Sequence, residues 1–301
     1  PSHPTKTVLA LASIPTLNST TSSVDLTPCI PTPTPPSPTS TTPTATTTSL
    51  PTTTVNSIPT NALVANTWTD FQTFLKNAKG GETILLKTGV TYSGRIENIH
   101  PTSIVRITSE NPAVQATIKQ LELRYVDNLT FDNVKFQFAG TPTLYQTDVI
   151  IRNSKSITLK NSTFKGIATA YLGAGGTQAQ SLMNISDSSD ITIEENKMSN
   201  FMHGIGATKS KNVIIRGNDI FALQGDGMRF SQMEGLVIEK NHLHDFLGSD
   251  STINHNDYIQ FWTTNTTTGS KNVVIRNNRL LSGSFNSIQA IFMRDELGES
   301  Q

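Results

Sequence analysis

The chain has a single cysteine in 301 residues, Cys29 in a Pro/Thr tract, so no disulfide framework holds it and little follows about redox compartment. It lacks a charge excess too: 23 Lys and Arg balance 23 Asp and Glu, whereas a nucleic-acid groove needs a basic surplus. No apolar run is long enough to span a membrane.

Pro, Ser and Thr dominate residues 1 to 62, as in Thr32–Thr54 (TPTPPSPTSTTPTATTTSLPTTT). Such a tract buries too little apolar surface to fold, so it reads as a disordered linker or stalk. The short apolar run Lys6–Pro15 has the character of a signal-peptide remnant, and the expected localisation is secreted or cell-surface. The folded part is expected over residues 63 to 301.

That part is a repeat. Six segments superimpose without gaps: Asn128–Phe136, Ser156–Phe164, Asp190–Met198, Asn212–Ile220, Gly235–Leu243 and Asn272–Leu280. In each, the second and fourth places are apolar, from Leu129/Phe131 to Val273/Ile275, which predicts a short strand with one buried face. The shortest spacing, 22 residues, is too short for a strand, a crossover helix and a second strand. An all-β solenoid, a parallel β-helix, fits. Asn196, Asn218, Asn241 and Asn278 share the seventh place, while Asn133 and Asn161 fall one earlier; turns tolerate asparagine, and stacking them predicts an asparagine ladder. The fifth place alternates in sign, Asp132, Lys160, Glu194, Arg216, Glu239, Arg276, as expected of solvated charges about 4.8 Å apart on stacked coils.

Before the repeat, Phe71, Phe74, Leu75 and Ala78 recur at helical spacing behind a capping box of Thr69 and Gln72, with Gly80 and Gly81 ending the helix. This helix is expected to cover the open edge of the first coil. The chain stops at Ile291–Gln301 without an evident closing cap, so a truncation or a following segment is expected.

The helix, then Gly80–Tyr92 (GGETILLKTGVTY), then Ser103–Val114 (SIVRITSENPAV), resembles the N-terminal portion of secreted right-handed parallel β-helix proteins that act on carbohydrates. That group includes alginate and chondroitin lyases, and the mannuronan C5-epimerases are similar in fold. The resemblance covers about residue 62 onward and implies a right-handed solenoid with an acidic polysaccharide as substrate. The epimerase Asp-Pro-His motif and a full pectin-hydrolase signature are absent.

Chemistry is expected in Gln224–Phe230 (QGDGMRF) and His255–Trp262 (HNDYIQFW), which take the same place in successive coils. Aligning the units puts Ser181, His203, Asp226, Asp257 and Asn286 in one column, and Asn184, Gly206, Arg229, Gln260 and Gln289 three places on. Met183/Ile185, Ile205/Ala207, Met228/Phe230, Ile259/Phe261 and Ile288/Ala290 alternate inward, so Arg229, Gln260 and Gln289 should project outward, flanked by Tyr258 and Trp262. The insertion His244–Asp257 is expected to wall this row into a groove.

The leading expectation is a lyase acting on a uronate-containing acidic polysaccharide by β-elimination, with epimerisation as a variant. Arg229 and Gln260 would meet the carboxylate. His255 or His203 would take the proton, Asp257 or Asp226 would orient the imidazole, and Tyr258 would protonate the leaving oxygen. Trp262, Gln289 and His244 complete the substrate-binding set. A glycoside hydrolase using Asp226 and Asp257, which would sit about 5 Å apart, is the second expectation, and a non-catalytic glycan-binding or adhesive stalk is the third. The structural alternatives are a His203 that only bonds to Asp226, aspartates that only form turns, and a Tyr258 and Trp262 covered by a loop; His242 is read as a solvated face residue. No cofactor is required. Calcium through Asp226, Asp250 or Asp257 is possible, and zinc through His244, Asp245, His255 and Asp257 is a weaker alternative. No nucleic-acid partner or membrane span is expected.

Overall fold

A computed structural model describes residues 59–138, 140–141, 146–168, 179–247, 256–283 and 288–297. The Pro/Ser/Thr tract, Asp250, His255 and Asn286 lie outside these described residues.

Short strands stack in three ladders, and every pairing is parallel. One coil shows the plan. Ile205–Thr208 leads through a turn to Lys211–Arg216, a second turn leads to Asp219–Phe221, and a longer connection returns to Met228–Ser231, one rung on. The first ladder runs on through Asn256–Phe261 to Ile288–Met293, the second through Glu234–Glu239 to Lys271–Arg276, and the third through His242–His244 to Arg279–Leu281. The repeated segments of the sequence are the second ladder joined to the start of the third. Their apolar places interlock in register, Ile157 on Ile191, Val213, Leu236 and Val273. Most of these side chains are fully buried, each contributing about 1.5–3 kcal/mol.

The helix Trp68–Asn77 buries Phe71 and Leu75 against the first coil, and Phe71 meets Tyr92 and Phe131 edge-on. Its cap differs from the expected Thr69/Gln72 pair. Thr67 accepts from the Asp70 backbone N–H and the Asp70 carboxylate accepts from the Thr67 N–H, so the box closes two residues earlier. Aspartate fills the reciprocal place as glutamine would, and the favourable acidic group sits in the first turn. The helix ends at Asn77 with Ala78 extended, so Gly80 and Gly81, both at positive φ, shape the loop beyond it rather than its cap.

The asparagine column is a ladder, but its residues do not hold the left-handed turn. That conformation belongs to the sixth place, Asn133, Asn161, Glu195, Gly217, Lys240 and Asn277, and to the first, Asn128, Ser156, Asp190, Asn212, Gly235 and Asn272. The kinked sixth residue frees the seventh to turn inward. Asn196, Asn218, Asn241 and Asn278 then accept, through Oδ1, the backbone N–H of the seventh residue one coil earlier. Each also donates Nδ2 to a strand carbonyl, from Leu159 O to Ile238 O. Ser162 takes the asparagine's place one rung earlier, which makes Asn133 and Asn161 turn formers and not ladder members. A serine ladder, Ser154, Ser188 and Ser210, does the same at the other turn and was not read from the sequence.

Two steps of the fifth-place column close as ion pairs, Arg216 with Glu194 at 2.7 Å and Arg276 with Glu239 at 2.7 Å, while Asp132 pairs instead with Arg106 at 2.9 Å, and Asp132 and Glu239 are buried rather than solvated. On the last described rung Ile291 and Met293 are exposed.

Candidate functional site

The first ladder carries the site. Gly206, Arg229 and Gln260 lie in register on successive rungs, so residues 31 positions apart in the chain share one outward row. The next rung departs from expectation: Gln260 is opposite Phe292, while Gln289 is opposite Asp257. Ile291 aligns with Ile259 and Met293 with Phe261, so the register runs three places beyond the one that would align Ile288 and Ala290 with them, and Gln289 leaves the row.

Three places before the row, His203, Asp226 and Asp257 form the second column. Asp226 Oδ1 accepts the Asp257 backbone N–H at 3.0 Å, and its Oδ2 lies 3.3 Å from Arg229 Nε. Asp257 Oδ2 accepts from Gln260 Nε2 at 3.1 Å, and Gln260 Oε1 accepts from Arg229 Nε at 3.3 Å. Both carboxylates are buried, Asp257 completely. Arg229 is thus held through Nε by Asp226 and Gln260, and among the described residues no hydrogen bond is made to its terminal nitrogens. Its guanidinium carbon sits 5.4 Å from the Trp262 ring centre, a cation–π stack, and the side chain stays 38% exposed.

His203 is a different group from the base expected of it. Its Nδ1 accepts the Asp226 backbone N–H at 3.0 Å, so the neutral ring carries its proton on Nε2. Burial, and then the Arg229 charge, lower its pKa to about 4. The one basic nitrogen is already engaged, and the backbone, not the Asp226 carboxylate, orients the ring. The glycine at 225 makes this possible, since a Cβ there would lie 2.6 Å from the imidazole.

Tyr258 is also corrected. It points outward from its strand as alternation requires, but Phe246 crosses over it edge-on at 4.8 Å, and its hydroxyl donates to the Leu281 carbonyl. Burial pushes this hydroxyl up to about 12, so it has neither access nor acidity for a leaving oxygen. His244 does not join the groove lining either: its two nitrogens face Asp219 and Asp245. His255, with Asp250 of the calcium reading, lies outside the described residues.

Arg229, Gln260 and Trp262 line a groove of about 370 Å³ together with Thr264, Phe292, Arg294 and Glu296. Arg294 was missed in the sequence because the register error placed it beyond the row. The alternation Ile291, Met293 was the signal that would have found it. Glu296 holds this wall in place: it accepts the Thr263 backbone N–H at 2.7 Å, which draws its carboxyl down to about 2. A larger hollow of about 710 Å³ lies beside Phe261, Val273 and Met293, under the exposed last rung. Its walls mix these apolar groups with Lys271, Arg294 and Asp295, and it contains none of the Asp226, Arg229 and Gln260 network.

A family model described as right handed beta helix region matches residues 120–297. The chain belongs to the right-handed β-helix family. No curated protein matches it. Among solved structures this β-helix is similar to PfbA, a surface adhesin of Streptococcus pneumoniae, at 14% identity and a TM-score of 0.52 over 78% of this chain and 74% of that one. It is also similar to an alginate lyase from Paenibacillus sp. str. FPU-7, at 14% identity and a TM-score of 0.35 over 77% of this chain and 98% of that one. A GH136 lacto-N-biosidase from Eubacterium ramulus matches at 9% identity and a TM-score of 0.32 over 74% and 64%. At these identities the likeness is one of fold. Among the described residues no helix of the β-helix protein is long and apolar enough to cross a membrane.

Proposed function

We propose that the protein binds a uronate-containing acidic polysaccharide along the first ladder and cleaves it by β-elimination, with Arg229 meeting the uronate carboxylate. One arrangement supports this reading: a half-exposed guanidinium, fixed through Nε and stacked on Trp262, at a groove that also holds Arg294. Removing the proton beside a carboxylate builds negative charge on it. A cation already fixed in place stabilises that charge without reorganising. His203 and Tyr258 are unsuited to the proton transfers for the reasons above, which leaves His255, one residue before the strand Asn256–Phe261, as the base. Epimerisation shares this proton removal and would use the same groups.

The test is incubation with a panel of acidic polysaccharides while following ultraviolet absorbance from unsaturated ends together with reducing ends. Both are expected to rise, and Arg229→Ala and His255→Ala are expected to abolish turnover with an unchanged circular dichroism spectrum. Full activity in both variants would remove the site. Reducing ends without absorbance would indicate a hydrolase using Asp226 and Asp257, against which the burial of both carboxylates speaks. Saturable binding lost in Arg229→Ala, with no product, would indicate a glycan-binding stalk. That second reading is favoured by the engagement of Asp226, Asp257 and His203 within the protein's own network.

A further inference from the structure

On the third ladder, Asp219 at the start of one rung lies in register with His242 of the next, and His244 lies two residues further on. Strand side chains two apart share a face, so both imidazoles project to the same side as the Asp219 carboxylate. His242 Nδ1 is 3.3 Å and His244 Nε2 is 3.0 Å from the same atom, Asp219 Oδ1. The three potential ligand atoms all lie within 4.8 Å of one another. The rings stack at 4.1 Å between centres and 23° between planes, with His244 stacked in turn on Phe221, so both are held in orientation. The other nitrogen of His244, Nδ1, contacts Asp245 Oδ2 at 2.7 Å.

A cation at Nε2 would leave Nδ1–H to donate to Asp245 Oδ2, the outer-shell pairing that orients metal-bound histidines. The spacings agree with this. Ligands about 2.0–2.1 Å from a tetrahedral zinc stand about 3.3 Å apart along each edge, close to both contacts on Asp219 Oδ1. The surroundings select the cation. Lys197 is in register with Asp219 on one side and Arg279 with His242 on the other, so the site has no surplus of negative charge to hold calcium. Two imidazoles and one carboxylate are instead a donor set for a borderline transition metal.

We propose that Asp219, His242 and His244 bind a divalent transition metal, zinc in the first instance, with Asp245 as the outer-shell positioning residue. The metal joins two successive coils and keeps a fourth coordination position open. The site is independent of the glycan groove and of its proposed chemistry.

The test is titration of zinc into the chelator-stripped full chain, by calorimetry and by competition with a chromophoric chelator, with a parallel titration of calcium. Expected are saturable uptake of one zinc with a rise in Tm, and no calcium uptake that depends on these residues. His242→Ala and His244→Ala each abolish zinc uptake, and Asp245→Asn weakens it about tenfold to hundredfold. His100→Ala, an exposed histidine paired with Asp127, leaves it unchanged. Cobalt in place of zinc gives d–d absorption bands that vanish in His244→Ala, a signature that a merely structural histidine pair would not produce. Absence of saturable zinc uptake, or uptake unaltered in the His242→Ala/His244→Ala double variant, overturns the proposal.

Discussion

Asn218 occupies the middle of the interior ladder, and replacing it with alanine tests how the stack is held. Its Oδ1 accepts from the backbone N–H and the Nδ2 of Asn196, both at 3.1 Å, and its own Nδ2 donates to Ile193 O and Asn241 Oδ1, both at 2.9 Å. Alanine removes all four bonds in a place that is 1% exposed, where water does not substitute. Two of the groups keep another partner: Asn196 Nδ2 still donates to Leu159 O, and Asn241 Oδ1 still accepts the backbone N–H of residue 218. The Asn196 N–H and the Ile193 carbonyl lose their side-chain partner. At about 1–3 kcal/mol for each buried group left unmet, Asn218→Ala is expected to cost about 2–6 kcal/mol. Asn218→Ser should cost less. Ser162 fills the equivalent rung two coils earlier and its Oγ accepts a backbone N–H at 3.1 Å, so a serine at 218 restores an acceptor for Asn196. Urea unfolding followed by far-ultraviolet circular dichroism reads both. A midpoint for Asn218→Ala within about 1 kcal/mol of the parent, or serine no better than alanine, would refute the claim that the ladder carries net stability.

Three further outcomes are expected. His203, lowered to about 4 from an ordinary value near 6.5, stays neutral in the fold while the unfolded chain takes up a proton. Stability should therefore fall on acidification through that window by up to about 1.4 kcal/mol per pH unit, and His203→Gln should remove this slope from urea midpoints measured across it. Asp148 has the opposite sign. Burial raises it to about 7, so the native state holds a proton that the unfolded state has lost, and its contribution declines as pH rises from about 4 to 7. Asp148→Asn should raise the urea midpoint at about pH 8 and leave it unchanged at about pH 4, and no gain at the higher pH would contradict the burial argument. Finally, a Cβ at Gly204 would fall 2.1 Å from the Gly227 carbonyl oxygen, whereas one at Gly206 meets nothing nearer than the Met183 carbonyl at 3.5 Å. Gly204→Ala should lose the folded state, while Gly206→Ala two residues away should change stability by less than about 0.5 kcal/mol; similar thermal unfolding of the two would refute the close approach of these coils.

The second ladder was legible because its signal is local. Alternating apolar residues such as Val213 and Ile215 fix a strand and its inward face within a few positions, and six gapless copies fix the stacking. The joint register of Arg229 and Gln260 followed from the same count, carried across an insertion of known length. The count failed at Gln289, where Ile288/Ala290 and Ile291/Met293 both alternate and only packing on the previous rung chooses between them.

The sequence by itself determined the solenoid, its coil length, and the row that Arg229, Gln260 and Trp262 share, since each depends on periodicity along the chain. The tertiary structure alone decided what each polar group meets. Tyr258 alternates outward and is buried because Phe246, from the preceding connection, lies over it. His203 has the residue type of a base and is spent as an acceptor because the next coil brings the Asp226 N–H to its Nδ1. His242, a face residue by its column, gains a role only where the neighbouring rung presents Asp219. Accessibility, protonation and ligand geometry depend on atoms one coil away, some 20 to 30 residues along the chain, which no local pattern specifies.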